Sequence, residues 1–182
     1  ITERKTYEEK LNYMAYHDTL TGLPNRRLFK VRLEKSIKKA ERHNSKMAVM
    51  YMDLDKFKLI NDTMGHDVGD ELLNQFSQRV KGCLRKSDLL ARLGGDEFCA
   101  LLEINQESDA IVVAQKIIDG LQNKWKIGKH EFHTTSSIGI AFYQNGFNYE
   151  RLIKAADIAL YQAKESGRNN YQIYNLKQKR II

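Results

Sequence analysis

The sequence predicts an α/β (α+β-like) fold in which a central mixed β-sheet is flanked by helices. Residues 47–52 form a continuous apolar run of strand length, which is typical of a strand covered on both faces. Several other segments repeat their apolar residues at helical spacing. Two further strand-like runs are joined by Gly94 and Gly95, and adjacent glycines supply the positive φ angles of a tight hairpin turn.

The composition is that of a globular protein with one domain and a short appendage. Of the 182 residues, 42% are apolar and 29% are charged, which excludes a disordered chain. The single proline and the lack of Gly/Ser-rich stretches argue against a flexible linker. No apolar run approaches the roughly 20 residues of a membrane span, and no secretory signal opens the chain. Because the first residue is Ile1, we expect the sequence to be part of a longer protein.

The cysteines and the net charge bear on location and partners. Cys83 and Cys99 lie in apolar runs without metal-ligand spacing, so we expect them to be reduced core residues of a cytoplasmic protein. The net charge is +7, and eight basic residues between positions 26 and 42 face only two glutamates. A helix of this kind suits nucleic acid, a phosphate-rich small substrate or plain solvent, and charge alone leaves the three open.

The start of the chain is expected to contribute two helices. Residues 2–16 look helical, and Tyr7, Leu11 and Met14 form one narrow apolar stripe, as in a coiled-coil seam. This segment suits a connector helix within residues 1–17. The turn-rich residues 18–26 are expected to tie it to the domain, and Asn25 is placed to cap a helix over residues 26–43.

The strand over residues 47–52 leads into an acidic segment. Asp53 and Asp55 follow the strand, and carboxylates at the carboxyl end of a buried strand are where ligands bind in α/β sheets. Asp55 is expected to be structural rather than a ligand, because period-two alternation turns it away or leaves it bonding the loop. Residues 61–67 are rich in turn formers and predict a loop, and a clearly amphipathic helix is expected to start near Val68.

The remaining elements follow the hairpin of residues 88–102. Ser108 is expected to cap a helix, and residues 132–136 and 138–142 look like a second strand pair. A helix over residues 149–165 is expected to end before Gly167, and residues 170–174 to form a short last strand. The predicted order is roughly α β α β β α β β α β, which gives a mixed sheet with at least one antiparallel hairpin.

Three acidic residues are expected to meet at one edge of this sheet. Asp53 ends a strand, and Asp96 and Glu97 follow the hairpin turn, where neighbouring like charges are costly unless a cation compensates them. Mg²⁺ selects oxygen ligands, although a Gly-Gly-Asp-Glu turn alone is also compatible with acids that simply face water. Acids that hold metal opposite basic side chains suit phosphoryl or nucleotidyl transfer. The candidates for the phosphate side of this cleft are Lys58, Lys164 and Arg168.

Five segments carry a family resemblance: residues 18–26 (DTLTGLPNR), 53–58 (DLDKFK), 61–70 (NDTMGHDVGD), 92–98 (RLGGDEF) and 155–169 (AADIALYQAKESGRN). In this order they closely resemble the GGDEF-domain diguanylate cyclases of bacteria, which condense two GTP into cyclic di-GMP and release pyrophosphate. The resemblance runs from Asp18 to Tyr174 and implies a domain over residues 18–176, followed by a basic tail over residues 177–182. It also implies a sheet like that of nucleotidyl cyclases and polymerase palm domains, with the hairpin at the active site.

The resemblance implies a role for each matching position. Asp53, Asp96 and Glu97, with the Leu54 carbonyl, would hold two Mg²⁺ ions per GTP, with Mn²⁺ as the alternative metal. Asp96, Glu97 and Lys58 would be catalytic, and either acid would assist deprotonation of the GTP 3′-hydroxyl. The implied GTP-binding positions are Asn61 and Asp70 for the guanine edge, and Phe57, Lys58, Lys164 and Arg168 for the triphosphate. A carboxylate at position 70 favours guanine physically as well, because it accepts from the N1–H and N2–H₂ groups that adenine lacks.

Arg85 and Asp88 match the family's inhibitory product site by their position just before the hairpin. A planar guanidinium suits both product phosphate and guanine, so the resemblance implies feedback inhibition by cyclic di-GMP. An Arg-x-x-Asp segment is also common by chance, and a surface salt bridge is the alternative interpretation.

The resemblance also implies partners. A homodimer is expected, because each domain holds one GTP and the product is two-fold symmetric. The connector helix would respond to an upstream sensor, which could itself be membrane-anchored. A non-catalytic receptor for GTP or cyclic di-GMP is an alternative, although the intact acids of the metal site count against it. No nucleic-acid partner is expected, since the sequence has no aromatic-rich binding stripe or nucleic-acid motif.

Overall fold

The computed structural model describes residues 2–176, and a five-stranded sheet lies at its centre. The helices are α1 (Thr2–Tyr16), α2 (Arg26–His43), α3 (Phe57–Met64), α4 (His66–Gly82), α5 (Glu107–Leu121) and α6 (Tyr149–Glu165). The strands are β1 (Lys46–Leu54), β2 (Leu89–Gly94), β3 (Glu97–Ile104), β4 (Trp125–Ile127), β5 (His130–Phe132), β6 (Ser136–Phe142) and β7 (Tyr171–Ile173). The predicted basic tail, residues 177–182, lies outside the described residues. None of the helices within residues 2–176 is both long enough and apolar enough to cross a membrane.

The sheet is mixed, as predicted, and its strand order is β2-β3-β1-β6-β7. β1 lies in the middle and pairs antiparallel with β3 on one side and with β6 on the other. β6 pairs in parallel with β7, and β2 and β3 form the predicted antiparallel hairpin. Every residue of β1 after Lys46 is buried, which explains why its sequence is a continuous apolar run rather than an alternating one.

Helices cover both faces of the sheet. Alternate residues of β1, such as Met50 and Met52, pack with α4 and α5 in one core cluster. The residues between them, such as Val49 and Tyr51, pack with α2 and α6 in a second cluster. This division follows from the period-two alternation of side chains along a strand. It also places Asp53, the next residue in the second series, on the face that α6 covers.

The prediction that residues 132–136 and 138–142 form a second strand pair is wrong. β5 pairs instead with β4, where Trp125 lies opposite Phe132, and the two short strands form a separate sheet. β6 is buried on both faces, so it satisfies its backbone inside the main sheet against β1 and β7. Neither of its partners in the sheet is the neighbouring segment over residues 132–136.

Two local predictions also differ from the structure. The turn formers at residues 61–67 do not form a loop: α3 and α4 are separated only by Gly65, whose φ is 96°. Asn61 and Asp62 therefore lie within α3, and His66 rather than Val68 begins α4. Helix α5 starts before Ser108, because the Asp109 carboxylate accepts from the backbone amides of Asn105 and Gln106 at 2.9 and 3.1 Å.

The helix predicted at the start of the chain is present, and so is the predicted cap at its junction with α2. α1 covers residues 2–16 and buries none of its side chains. The Asn25 side chain accepts from the Leu28 amide at 3.1 Å and so caps α2, as predicted. The side-chain amide nitrogen of Asn25, Nδ2, donates to the Ala15 carbonyl at 3.0 Å. One side chain thus joins the end of α1 to the start of α2.

Candidate active site

The structure brings Asp53, Asp96 and Glu97 together where β1 meets the hairpin turn. Asp53 and Glu97 are direct partners in the antiparallel pairing of β1 with β3. Side chains at directly opposed positions lie on the same face of a sheet. Asp96 immediately precedes Glu97, and the turn before it uses Gly94 at φ 144° and Gly95 at φ 50°. A residue with a β-carbon is strained at such angles, so the two glycines allow the turn that presents Asp96.

Asp53 is a buried carboxylate with only one of its oxygens paired. Its residue exposure is 7%, and Lys164 Nζ forms an ion pair with Oδ2. Oδ1 is buried and has no hydrogen-bond partner. Burial raises the pKa of Asp53 to about 6, Lys164 opposes that rise, and the neighbouring Asp96 and Asp55 add to it.

These acids fit a hard divalent cation. Burial is also the largest cause that raises the pKa of Asp96, and Lys164 and backbone amides oppose it. Within residues 2–176, no three Asp, Glu, His or Cys side chains lie close enough together to hold a metal ion among them. Glu97 Oε2 instead lies 4.0 Å from a guanidinium nitrogen of Arg26. The unpaired Oδ1 of Asp53 lies near Asp96, a second carboxylate whose pKa is raised by burial. A bound cation would supply the partner that this oxygen lacks.

Asp55 makes the opposite arrangement, because both of its oxygens are occupied. Oδ1 accepts from Ser137 Oγ at 2.7 Å. Oδ2 accepts from Thr135 Oγ1 at 2.6 Å and from the Asn169 amide at 3.0 Å. The residue is 4% exposed. These contacts agree with the expectation that Asp55 is structural rather than a ligand, and its hydroxyl partners lie on β6 (Ser137) and just before it (Thr135).

The predicted phosphate-binding residues divide into two groups. Lys164 and Arg168 lie beside the acids, with Arg168 Nη1 3.8 Å from Asp55 Oδ1. Lys58 is exposed on the first turn of α3. Lys56, at φ 61°, precedes this helix and offers it no side-chain cap. The first backbone amides of a helix have no intrahelical partner, so those near Phe57 are available to an anion.

The predicted guanine readers lie at the junction of α3 and α4. Asn61 is half-buried on α3, and its side chain rests against Gly69 of α4. An ideal Cβ on Gly69 would lie 1.8 Å from Asn61 Oδ1, so the glycine makes room for this amide. Asp70 follows Gly69 and is exposed. The helix pair thus places an amide and a carboxylate within one short stretch of the α3–α4 junction.

Arg92 makes contacts next to the hairpin turn that its sequence position did not predict. Its Nη1 donates to Asp18 Oδ1 at 2.8 Å, and its Nε donates to the Gly95 carbonyl at 2.9 Å. Asp18 Oδ2 accepts from the hydroxyl and the amide of Thr21. The half-buried guanidinium therefore joins the segment after α1 to the turn before Asp96. The signal was present, because Asp18 and Arg92 each begin one of the recognised sequence segments.

Arg85 and Asp88 form the turn that leads into β2, at the end of this strand away from Asp96. Asp88 Oδ2 accepts from the Arg85 backbone amide at 2.8 Å, and the Asp88 amide donates to the Arg85 carbonyl at 3.0 Å. Across residues 2–176, the ion pairs do not include one between these two side chains. The structure thus gives no support to the surface salt bridge, and the Arg85 side chain is exposed.

Comparison with known proteins gives a consistent set of matches. Residues 15–170 match the family model described as diguanylate cyclase, GGDEF domain. The chain is 44% identical over 163 residues to MucR of Pseudomonas aeruginosa, described as a bifunctional diguanylate cyclase/cyclic di-GMP phosphodiesterase. This match covers 89% of the chain but only 24% of MucR, so the chain spans about a quarter of that relative.

Two solved structures show the same fold. The GGDEF domain of TpbB (YfiN) from Pseudomonas aeruginosa has a TM-score of 0.87 at 40% identity, and the match covers 91% of this chain and 98% of that one. The GGDEF domain of DgcB from Caulobacter crescentus, solved in complex with c-di-GMP, has a TM-score of 0.85 at 27% identity. That match covers 88% of this chain and 94% of that chain.

Proposed function

Because the chain belongs to the GGDEF domain family, we propose that it is a diguanylate cyclase that joins two GTP into cyclic di-GMP and releases pyrophosphate. The observation that carries the proposal is the half-paired, buried carboxylate of Asp53 beside Asp96, faced by Lys164. Acids and bases in this arrangement suit the transfer of a nucleotidyl group. We propose that the domain lies in the cytoplasm, where GTP is available. It would be the output domain of a longer sensor protein, and that sensor could be anchored in a membrane.

The metal site would be formed by Asp53, Asp96 and Glu97 with the Leu54 carbonyl. Two Mg²⁺ ions per GTP, or Mn²⁺ in their place, would neutralise phosphate charge and lower the pKa of the attacking 3′-hydroxyl. Asp96 or Glu97 would accept the proton of this hydroxyl.

The nucleotide would lie between the acids and the α3–α4 pair. Lys164 and Arg168 carry their charges beside the acids, where the triphosphate would bind, and Lys58 and the amides near Phe57 would close the other side. Asp70 would accept from the N1–H and N2–H₂ groups of guanine, and the Asn61 amide would hydrogen-bond to the same base. One domain holds one GTP in this arrangement, so two domains would face each other as a homodimer for the two bonds of the product.

Replacing Asp96 with alanine is expected to reduce cyclic di-GMP formation to background, because it removes a metal ligand and a candidate base at once. The purified chain is incubated with GTP and Mg²⁺, and the products are resolved by chromatography. Asp119→Asn is the matched control, since it removes an exposed carboxylate on α5. Equal product from the parent and the Asp96 variant would contradict the proposed site.

If the parent chain forms no cyclic di-GMP, the same assay is repeated on an engineered dimer. The domain is fused through α1 to a parallel coiled coil, because a monomer offers only half of a dimeric site. Product from this fusion alone would support the cyclase and locate the defect in association. No product from either form, with retained GTP binding, would favour the non-catalytic receptor.

We also propose that cyclic di-GMP inhibits the enzyme through Arg85 and Asp88. The DgcB complex with c-di-GMP supports binding of the product within this fold. Replacing Arg85 with alanine is expected to raise the cyclic di-GMP concentration for half inhibition at least about tenfold, by loss of a charge-assisted phosphate contact. Lys86→Ala is the control, because it removes the same charge from the same turn. Unchanged inhibition in the Arg85 variant would show that the product acts elsewhere.

A further inference from the structure

We propose that Asp55 is a positioning residue that fixes the turn carrying Arg168 and thereby directs this guanidinium toward the nucleotide phosphates. The inference rests on the proposed function, since it takes the triphosphate of GTP as the ligand of Arg168. It goes beyond that function in assigning a task to a carboxylate that belongs to neither the metal site nor the substrate contacts.

The contacts of Asp55 join three separate parts of the chain. The residue follows β1, its side chain is held by Ser137 and Thr135 from β6 and the segment before it, and its Oδ2 also accepts from the Asn169 amide. The backbone takes part as well: the Asp55 amide donates to the Thr135 carbonyl at 2.8 Å, and Thr134 Oγ1 donates to the Asp55 carbonyl at 2.9 Å. A carboxylate that accepts several hydrogen bonds while buried is held in one orientation.

The turn after α6 needs such a support. Gly167, Arg168 and Asn169 have φ angles of 107°, 64° and 47°. Left-handed conformations at two consecutive residues with side chains cost on the order of 1–3 kcal/mol each, and they persist only where the surroundings impose them. Gln122 Nε2 donates to Asn169 Oδ1 at 2.9 Å from α5. Asp55 supplies the contact that joins the turn to the strand bearing Asp53, through the Asn169 amide.

Two neighbouring ion pairs therefore join α6 and the turn after it to β1 and the segment after it. Lys164 and Arg168 are four residues apart, and Asp53 and Asp55 are two residues apart. Lys164 pairs with Asp53, and the Arg168 guanidinium lies 3.8 Å from Asp55. Lys164 faces a carboxylate with an open oxygen, whereas Arg168 faces one whose oxygens are already occupied. Arg168 is therefore oriented by Asp55, and about half of its side chain remains exposed to a ligand.

Replacing Asp55 with asparagine tests this assignment. The amide oxygen can accept at only one of the two carboxylate positions, and the neutral side chain no longer attracts the Arg168 guanidinium, while the side-chain volume is kept. We expect the Kd for GTP with Mg²⁺ to rise about tenfold, the size of one lost charge-assisted contact. The Kd for guanosine, which has no phosphate, is expected to stay unchanged. Both are measured by NMR titration, with the KM for GTP expected to rise about as much as its Kd.

A double-mutant cycle separates positioning from simple structural damage. If Asp55 acts through Arg168, the Asp55→Asn/Arg168→Ala variant binds GTP no more weakly than Arg168→Ala alone. The proposal would be overturned if the two substitutions weakened GTP binding independently, so that their increases in Kd multiplied in the double variant. It would also be overturned if Asp55→Asn raised the Kd values for GTP and guanosine equally. Thr135→Val provides a milder variant that keeps the carboxylate and removes one donor. It is expected to raise the Kd for GTP about threefold and to leave guanosine unaffected.

The parent chain distinguishes the two levels of inference. A parent that fails to prefer GTP over guanosine would refute the proposed triphosphate site, and the role of Asp55 would fall with it. A parent that binds GTP through its phosphates, together with an Asp55→Asn variant of equal affinity, would refute the positioning role alone.

Discussion

Replacing Gly139 with alanine is expected to unfold the domain. Gly139 lies in the middle of β6 between Tyr51 and Gln172, and α6 crosses directly over it. An ideal Cβ at this position would lie 2.1 Å from the Ala156 carbonyl oxygen and 2.2 Å from the Leu160 amide nitrogen. Both obstacles are backbone atoms, so relief requires α6 to move away from the sheet. We expect a loss of about 4 kcal/mol or more, most of the stability of an ordinary domain.

The measurement is urea unfolding followed by circular dichroism. Gly120→Ala is the matched control: it is the same substitution within α5, where an added Cβ meets no atom within 4 Å. Alanine is the better helix former, so this variant is expected to gain about 0.5–1 kcal/mol. A cooperative transition for Gly139→Ala near that of the parent would show that α6 does not pack as closely as described.

Replacing Asp53 with asparagine is expected to abolish the proposed cyclase activity and to stabilise the fold. Activity should fall at least about a thousandfold, because the substitution removes a metal-binding oxygen. Stability should rise because burial of the charged carboxylate, only partly compensated by Lys164, lifts its pKa from 3.8 to about 6. A difference of about two pKa units corresponds to about 3 kcal/mol, so we expect a gain of about 2–3 kcal/mol at pH 7.

The pH dependence of this gain identifies its cause. Between the unfolded pKa of 3.8 and the folded pKa of about 6, the folded state of the parent binds more protons. The contribution of Asp53 to the free energy of unfolding is therefore favourable at low pH and is lost as the pH rises through this window. The stability difference between variant and parent should grow from pH 4 to pH 7 in metal-free buffer. A difference independent of pH would assign the gain to packing instead.

Much of the fold was predictable because its signals are local and repeated. α2 and α6 have long apolar stripes and clear caps at Asn25 and Gly167, and their predicted bounds of 26–43 and 149–165 match the structure. The hairpin was marked by Gly94 and Gly95. The failures involve short or non-local features: β4 has three residues, and the pairing of β6 with β1 joins positions more than eighty residues apart. No periodicity within a segment reports its partner in the sheet.

The candidate site divides in the same way. Asp53, Asp96 and Glu97 were found because acids stand at recognisable strand and turn ends. The roles of Ser137 and Thr135 toward Asp55 were not, since hydroxyl side chains are common and their partner is distant in sequence. The contact between Arg92 and Asp18 was not predicted either, because the two residues are distant in sequence. The run of four hydroxyl residues at positions 134–137, before an apolar strand, was the available signal for a polar network.

The lack of burial along α1 has a consequence for how such a domain evolves. None of the side chains in this helix is buried in the core, and the side-chain links between its end and α2 come from Asn25 and from Arg27, whose guanidinium lies over the Tyr16 ring. Changes to its exposed surface, including Tyr7, Leu11 and Met14, therefore have little effect on folding free energy. Under the proposed function, natural selection could therefore vary this helix, and with it the input to which the domain responds, while the sheet and its acids stay under separate constraint.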